Sequence, residues 1–135
     1  MNVDLENVNL KSNSGPNHFA SKLIKQFATL DVSIDERTKP DVRLCFIESH
    51  KYNSDDVPLV QRLDGIYFNT AQNYKLQNSN IEKTYKISDG VIFQSHFNQE
   101  LTTRYFGEHN NSVVIHNGAD MNYINQFSPL KNSFL

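Results

Sequence analysis

The sequence is poor in cysteine, and this limits the class of protein it can encode. Cys45 is the only cysteine among 135 residues, which excludes an internal disulfide framework. Its setting in the apolar run Leu44–Ile47 predicts a small buried hydrophobic side chain. A lone, buried thiol is typical of proteins from a reducing compartment such as the cytoplasm.

Long apolar runs are also missing. No stretch approaches the roughly 18 apolar residues that a transmembrane helix requires, and mean hydropathy is -0.57. Residues 1–10 contain no basic segment followed by an apolar core, so they do not resemble a signal peptide. We therefore expect a cytoplasmic protein with no transmembrane segment, with attachment to a membrane surface as the alternative.

Strong charge of one sign is absent as well. Thirteen basic and 15 acidic residues give a net charge of -2, and basic residues never form a run longer than two, which argues against nucleic-acid partners. No metal site is predicted, because the histidines and the cysteine show no ligand spacing. No G-x-S-x-G nucleophile motif is present. The histidines are His18, His50, His96, His109 and His116.

The patterns that are present predict an α/β domain. Phe19, Leu23, Phe27 and Leu30 recur at helical spacing after Pro16, which suits a first helical turn. Short apolar runs at 42–47, 58–61, 91–93 and 113–115 predict strands, and residues 81–88 predict a further helix. Weaker alternation predicts strands at 8–10 and 32–34, and 69–80 reads as a loop or a short helix. The alternation predicts a Rossmann-like parallel sheet sandwiched by helices.

The segment from Ile87 to Asp120 is the most informative part of the chain. Val91–Phe93 and Val113–Ile115 are apolar strands, and Ser95 and Gly107 suit the two ends of a helix between them. Two strands joined in this way form a parallel pair with a right-handed crossover. The residues predicted to face the core from this helix are Phe97, Leu101, Tyr105 and Phe106.

Ligands of such sheets bind beyond the carboxyl ends of the strands. Gln94 and Ser95 follow one strand and His116–Gly118 follow the next, so both groups are expected near one edge. Ser95 as a simple helix cap, and His116 with Asn117 as part of a linker, are the structural alternatives.

Two further groups are candidates for the same edge. Ser14, Gly15 and Asn17 precede a helix, where free N–H groups favour anions; the alternative is a plain Gly-Pro helix start. Glu48 and His50 end a strand and could serve acid–base chemistry or bind hydroxyls; the alternative is an exposed turn.

Arg62 and Asp64 form the last candidate pair. Arg62 can contact two phosphate oxygens or the acceptor, and Asp64 can contact a sugar hydroxyl or the acceptor. The alternative is that the two pair internally and brace the loop at Gly65. Tyr67, Phe68 and Tyr74 could stack on a sugar or a partner, or they could be core and loop anchors.

Several of these segments carry a family resemblance. Asp89–Ser95, Tyr105–Gly107 and the Val114–Asp120 sequence VIHNGAD resemble the end of the first domain of a GT-B fold glycosyltransferase, closest to retaining family 4. Ser14–Asn17 and Gln61–Tyr67 resemble its first loop and its mid-domain segment. The resemblance spans roughly residues 8–130. The Arg62 region lacks the His that this family usually has there, so no catalytic residue is transferred.

The resemblance implies an acceptor-side domain over residues 1–120, with residues 121–135 as a linker and the start of a second domain. Such an enzyme transfers a sugar from a nucleotide-sugar, its donor substrate, to a glycan or other acceptor without a resident cofactor or metal. The loop Ser14–Asn17 would lie near the donor diphosphate and the acceptor. The donor would also need a second domain or subunit that carries paired acidic residues, so the isolated chain is expected to be inactive.

Two other functions remain open at this stage. The chain could be a binding module for a glycan or a partner subunit, without turnover. It could also be a truncated gene product with no present activity.

Overall fold

The computed structural model describes residues 1–51, 56–118 and 125–126. These residues form five parallel strands in a single sheet, flanked by helices, so the chain has the predicted α/β Rossmann-like fold. The strands are β1 (Val3–Glu6), β2 (Val42–Phe46), β3 (Leu59–Leu63), β4 (Gly90–Phe93) and β5 (Ser112–Val114). The helices are α1 (Gly15–Thr29), α2 (Tyr74–Gln77), α3 (Ser79–Ile87) and α4 (His96–Phe106).

The strands lie in the order β1-β2-β3-β4-β5. Next to β1, however, the chain first moves to one side of that strand and then back to the other side. Asn2 forms a parallel bridge with Ser33, and the Val3 amide donates to the Ser33 carbonyl at 2.9 Å. On the other side, the Asp41 amide donates to the Asn2 carbonyl at 2.8 Å, and β1 pairs with β2. The chain therefore passes to one side of β1 through α1 and returns to the other side before β2.

This reversal places helices on both faces of the sheet, because right-handed connections that run in opposite directions across a sheet cover opposite faces. Phe46 of β2 points towards α1, where its ring centroid lies 6.3 Å from that of Phe19. The opposite face carries the main core, which α3 and α4 cover. That core consists of Leu63, Ile66, Ile81, Tyr85, Val91, Phe93 and Phe106.

A buried ionic network joins β1, β2 and α3. The Arg43 Nε donates to the Glu6 carboxylate at 2.6 Å, and the Ser49 hydroxyl donates to the other Glu6 oxygen. The Ser49 amide donates to the Thr84 hydroxyl at 3.1 Å. Glu6, Arg43, Ser49 and Thr84 are all buried. Each charge is therefore compensated, as burial away from water requires.

Cys45 is fully buried, as the sequence predicts. Burial, together with the nearby Glu6 charge, raises the pKa of its thiol to about 12, so the side chain is a neutral thiol near pH 7.

The prediction of a first strand at Val8–Leu10 is wrong. The strand is Val3–Glu6, and its polar positions are accounted for because Glu6 pairs with Arg43 and Asp4 with Lys51. Asn7 then adopts a φ of 60°, which turns the chain out of the sheet. The predicted strand at 32–34 is reduced to the single bridge at Ser33.

Other boundaries shift by a few residues. β3 extends to Leu63, so Arg62 lies inside the strand instead of leaving it. β2 ends at Phe46, because Ile47 has a φ of 71°. The predicted helices at 16–30 and 81–88 are confirmed as α1 and α3. The predictions for Ala119, Asp120 and the proposed linker 121–135 lie outside the described residues, apart from an exposed turn at 125–126.

The predicted core face of α4 is also wrong in part. Phe97 is 68% exposed and Tyr105 is also exposed, whereas Asn98, Thr102 and Phe106 are buried. The Asn98 Nδ2 donates to the Leu63 carbonyl at 2.7 Å, and the Thr102 hydroxyl donates to the Asn98 side chain at 3.2 Å. Since hydrogen-bonded polar groups can be buried, the helix turns a mixed polar and apolar stripe towards the sheet.

Replacement of two phenylalanines in α4 tests this orientation. Phe106→Ala removes a ring from the core and should lower the free energy of unfolding by about 3 kcal/mol. Phe97→Ala should change it by less than about 0.5 kcal/mol, since that ring is exposed. Urea denaturation compares the two variants, and a larger loss for Phe97→Ala would contradict the orientation.

The buried ionic network gives a second test. Glu6→Gln leaves the Arg43 guanidinium buried without its carboxylate, so unfolding should become easier by about 3 kcal/mol. Arg37→Gln breaks an exposed pair with Asp35 and should have little effect. Thermal denaturation of both variants measures the difference, and equal stabilities would show that the network contributes nothing.

Candidate functional site

The reversal between β1 and β2 identifies the edge of the sheet at which a ligand would bind. In open parallel sheets a crevice forms where neighbouring connections leave in opposite directions, outside the carboxyl ends of the strands. Here Asn7 and Ile47 follow β1 and β2, and both have positive φ. The Asn7 Nδ2 donates to the Phe46 carbonyl at 2.7 Å, which holds the two strand ends together.

The loop that leaves the end of β1 leads to the start of α1. Ser14 is the N-cap residue, but its side chain makes no capping bond to the helix backbone. Its hydroxyl instead accepts from the Asn17 Nδ2 at 2.8 Å, while the Asn17 Oδ1 accepts from the Asn9 amide at 2.8 Å. The first-turn amides of Gly15 and Asn17 are thus left uncapped by Ser14, and such amides can donate to an anion.

Arg62 contacts several other residues around the candidate site. Its guanidinium donates to the Asp64 carboxylate and to the Asn117 Oδ1 at 2.8 Å. It also lies 3.8 Å from the centroid of the Phe19 ring and 5.7 Å from that of Phe46. The side chain is buried and connects β3, α1 and the segment after β5. With these contacts Arg62 braces the fold internally. A direct contact between Arg62 and a phosphate stays a prediction.

Glu48 and His50 lie on the opposite side of the sheet edge, next to α3. The His50 Nε2 is 3.5 Å from a Glu48 carboxylate oxygen, and the Asn80 Nδ2 donates to the other oxygen at 3.1 Å. Glu48 is half-buried and His50 is exposed. An anchored carboxylate beside an accessible imidazole can accept hydroxyl protons or hydrogen bonds from a ligand.

Asn80 has no counterpart among the residues singled out from the sequence. It lies in an Asn-rich stretch that gave no pattern, and only the packing of α3 beside the segment after β2 brings it to Glu48.

The third group surrounds the start of α4. The Ser95 hydroxyl accepts from the Asn98 amide at 3.1 Å, as a helix cap does. The Gln94 amide donates to the Leu63 carbonyl at 3.3 Å. The His116 and His96 rings meet edge to face, with centroids 5.6 Å apart, and Gly118 is exposed beyond them.

The predicted site residues, together with Asn80 and His96, therefore fall into three groups at the carboxyl end of the sheet. We call them the α1-side group, the α3-side group and the α4-side group. The α1-side group comprises Ser14, Gly15, Asn17, Arg62, Asp64 and Asn117. The α3-side group comprises Glu48, His50 and Asn80, and the α4-side group comprises Gln94, Ser95, His96, His116 and Gly118.

Within the described ranges, no group of three or more His, Cys, Asp or Glu side chains could hold a metal ion. Among the same residues, no helix is long and apolar enough to cross a membrane. No family model, curated protein or solved structure matches this chain.

Replacement of Arg62 tests its bracing role. Arg62→Met removes the bonds to Asp64 and Asn117 and the contact with Phe19, and should lower the free energy of unfolding by roughly 2–3 kcal/mol. Arg104→Met removes an exposed cation of α4 and should be nearly neutral. Chemical denaturation measures both variants, and an Arg62→Met protein as stable as Arg104→Met would rule out the brace.

Proposed function

We propose that this chain is the acceptor-side domain of a retaining glycosyltransferase that uses a nucleotide-sugar. The donor would bind between the carboxyl edge of this sheet and a second domain or subunit. The proposal rests chiefly on one observation. The segments that resemble the GT-B family lie at the carboxyl end of one parallel sheet, where Arg62 of β3 donates to Asn117 after β5.

The geometry of the most similar segment supports the proposal. Residues 90–114 fold as a parallel strand–helix–strand unit, and the segment His116-Asn117-Gly118 follows its last strand. Asn117 accepts from Arg62 of β3, so this segment is joined to the mid-domain segment that carries the second part of the resemblance.

The α1-side group supplies chemistry that suits a diphosphate. The uncapped amides at the start of α1 and the positive end of that helix favour negative charge. As the bond between sugar and phosphate breaks, charge accumulates on the leaving phosphate. Amides fixed in advance stabilise such charge without reorganisation, and the rigid sheet edge keeps donor and acceptor aligned.

One observation favours a second candidate, a glycan-binding domain without turnover. Arg62 already contacts Asp64 and Asn117, so less of its positive charge is available to a diphosphate. A domain of this kind would bind sugars at the same edge but show no response to the nucleotide part of a donor.

An NMR titration of the chain with UDP-glucose and with GDP-mannose tests the proposal. We expect weak binding, in the millimolar range, because a second domain would supply most donor contacts. The shifted amides should be those of residues 14, 15, 17, 62–65 and 116–118. Tight binding, or shifts confined to the opposite end of the sheet, would contradict the proposed division between domains.

A matched pair of variants sharpens the result. Asn17→Asp adds a negative charge at the start of α1, a position that tolerates acidic residues, and should abolish the shifts. Asn110→Asp adds the same charge to an exposed loop before β5 and should leave them unchanged. Equal responses of the two variants would exclude anion binding at α1.

A further inference from the structure

The outer edge of β1, on the side away from β2, is only partly paired. There the Ser33 amide donates to the Met1 carbonyl and the Val3 amide donates to the Ser33 carbonyl, each at 2.9 Å. Because alternate residues of a parallel strand bond to opposite neighbours, the Leu5 amide and carbonyl face the same side as the Val3 amide. In the part of the chain that the structure describes, they have no hydrogen-bond partner there. β1 therefore offers an unpaired donor and acceptor, as an edge strand does.

The Asn2 side chain explains why the neighbouring segment leaves β1 so early. Its Oδ1 accepts from the Asp35 amide at 2.8 Å, and its Nδ2 donates to the carbonyls of Asp35 and Thr38 at 3.0 and 3.1 Å. Asn2 is buried. These bonds hold the neighbouring segment at the start of β1, so that it does not continue along the strand to Leu5.

A groove of about 510 Å³ lies along this open edge, and its lining is apolar on the side of α1. Leu5 pairs with Leu44 of β2, two residues before Phe46, so it points to the face that α1 covers. Ile24 of α1 and Ile34 line the same groove, and neither is fully buried. These side chains give an occupant of the groove apolar surface to cover.

The other side of the groove is polar and mainly acidic. Asp4 points to the face opposite α1 and pairs with Lys51 at 3.3 Å. Asp35 and Glu36 also line the groove, and Asp35 pairs with Arg37. Glu36 is exposed, and no ion pair joins it to another residue within the described ranges. Its carboxylate therefore favours a basic side chain in an occupant.

We propose that the open edge of β1 binds an extended segment of a partner protein, which adds a strand to the sheet beside Leu5. The segment alternates apolar residues, which pack on the α1 side of the groove, with polar residues, of which one is basic and meets Glu36. Main-chain bonds to Leu5 contribute affinity, and the alternate side chains contribute specificity. The groove shares no described residue with the α1-side group, so this interaction does not depend on the proposed function.

Amide NMR of the whole chain tests this site, with a blocked hexapeptide of alternating lysine and valine as the probe. In the free chain the Leu5 amide should exchange rapidly with solvent, whereas the Asp4 amide, which faces β2, should exchange slowly. Saturating peptide should shift the Leu5 amide resonance and slow its exchange about tenfold or more. A peptide with proline at its two central positions should do neither, because proline cannot donate to a strand.

A matched pair of charge reversals tests the role of Glu36. Glu36→Lys places like charge beside the lysines of the peptide and should weaken binding about fivefold. Glu100→Lys makes the same change at an exposed position of α4 and should leave binding unchanged. A hexapeptide of alternating glutamate and valine should bind the unaltered chain less tightly than the lysine peptide.

Several results would overturn the proposed interaction. A Leu5 amide that is already protected in the free chain would show that the edge is not open, and a dimer in sedimentation would then identify a second copy as the occupant. A lysine peptide that does not shift the Leu5 amide would exclude strand addition, and so would equal binding of the proline peptide. Equal effects of Glu36→Lys and Glu100→Lys would remove the charge preference.

Discussion

The reversal of the chain beside β1 is the constraint on which the site depends. Because β1 lies between Ser33 and β2, α1 covers one face of the sheet while α3 and α4 cover the other. The connections after β1 and β2 then leave in opposite directions, and in open parallel sheets ligands bind outside the carboxyl ends of strands at such a point. A sheet with every connection on one face would have no such opening, although the candidate residues would still lie at one end of the parallel strands.

The buried network of Glu6, Arg43 and Ser49 stabilises this arrangement of the strands. It joins the end of β1 to the segment after β2 and, through Thr84, to α3. The same segment carries Glu48 and His50, so the network that fixes the strands also fixes one part of the edge. On the other face, Arg62 packs against Phe19 of α1 and donates to Asn117, so it positions both segments. Positioning at both sides of the crevice therefore depends on compensated buried charge.

Much of the fold could be predicted from local sequence patterns. The helix after Pro16 and the strands around Cys45 and Val91 show the expected apolar spacing, and Ser95 and Gly107 bound α4 as predicted. What could not be predicted depends on distant partners. Asn98 and Thr102 look like surface residues until their hydrogen bonds to Leu63 and to each other are known. Glu6 looks exposed until Arg43 is placed beside it.

The site, too, could be predicted from the sequence only in part. The sequence indicated that several polar residues share one edge, because each follows an apolar strand. It did not indicate that Arg62 is enclosed by Phe19 and Phe46, or that Asn80 anchors Glu48. Those contacts place a paired cation on the α1 side of the edge and an anchored carboxylate on the α3 side.

The position of β1 within the sheet is the most direct test of this account. A NOESY spectrum should show backbone contacts from residues 2–3 to Ser33 on one side and to residues 41–42 on the other, in the pattern of parallel strands. Contacts to only one of these neighbours, or the close Hα–Hα contacts of an antiparallel pair, would remove the reversal and with it the proposed site.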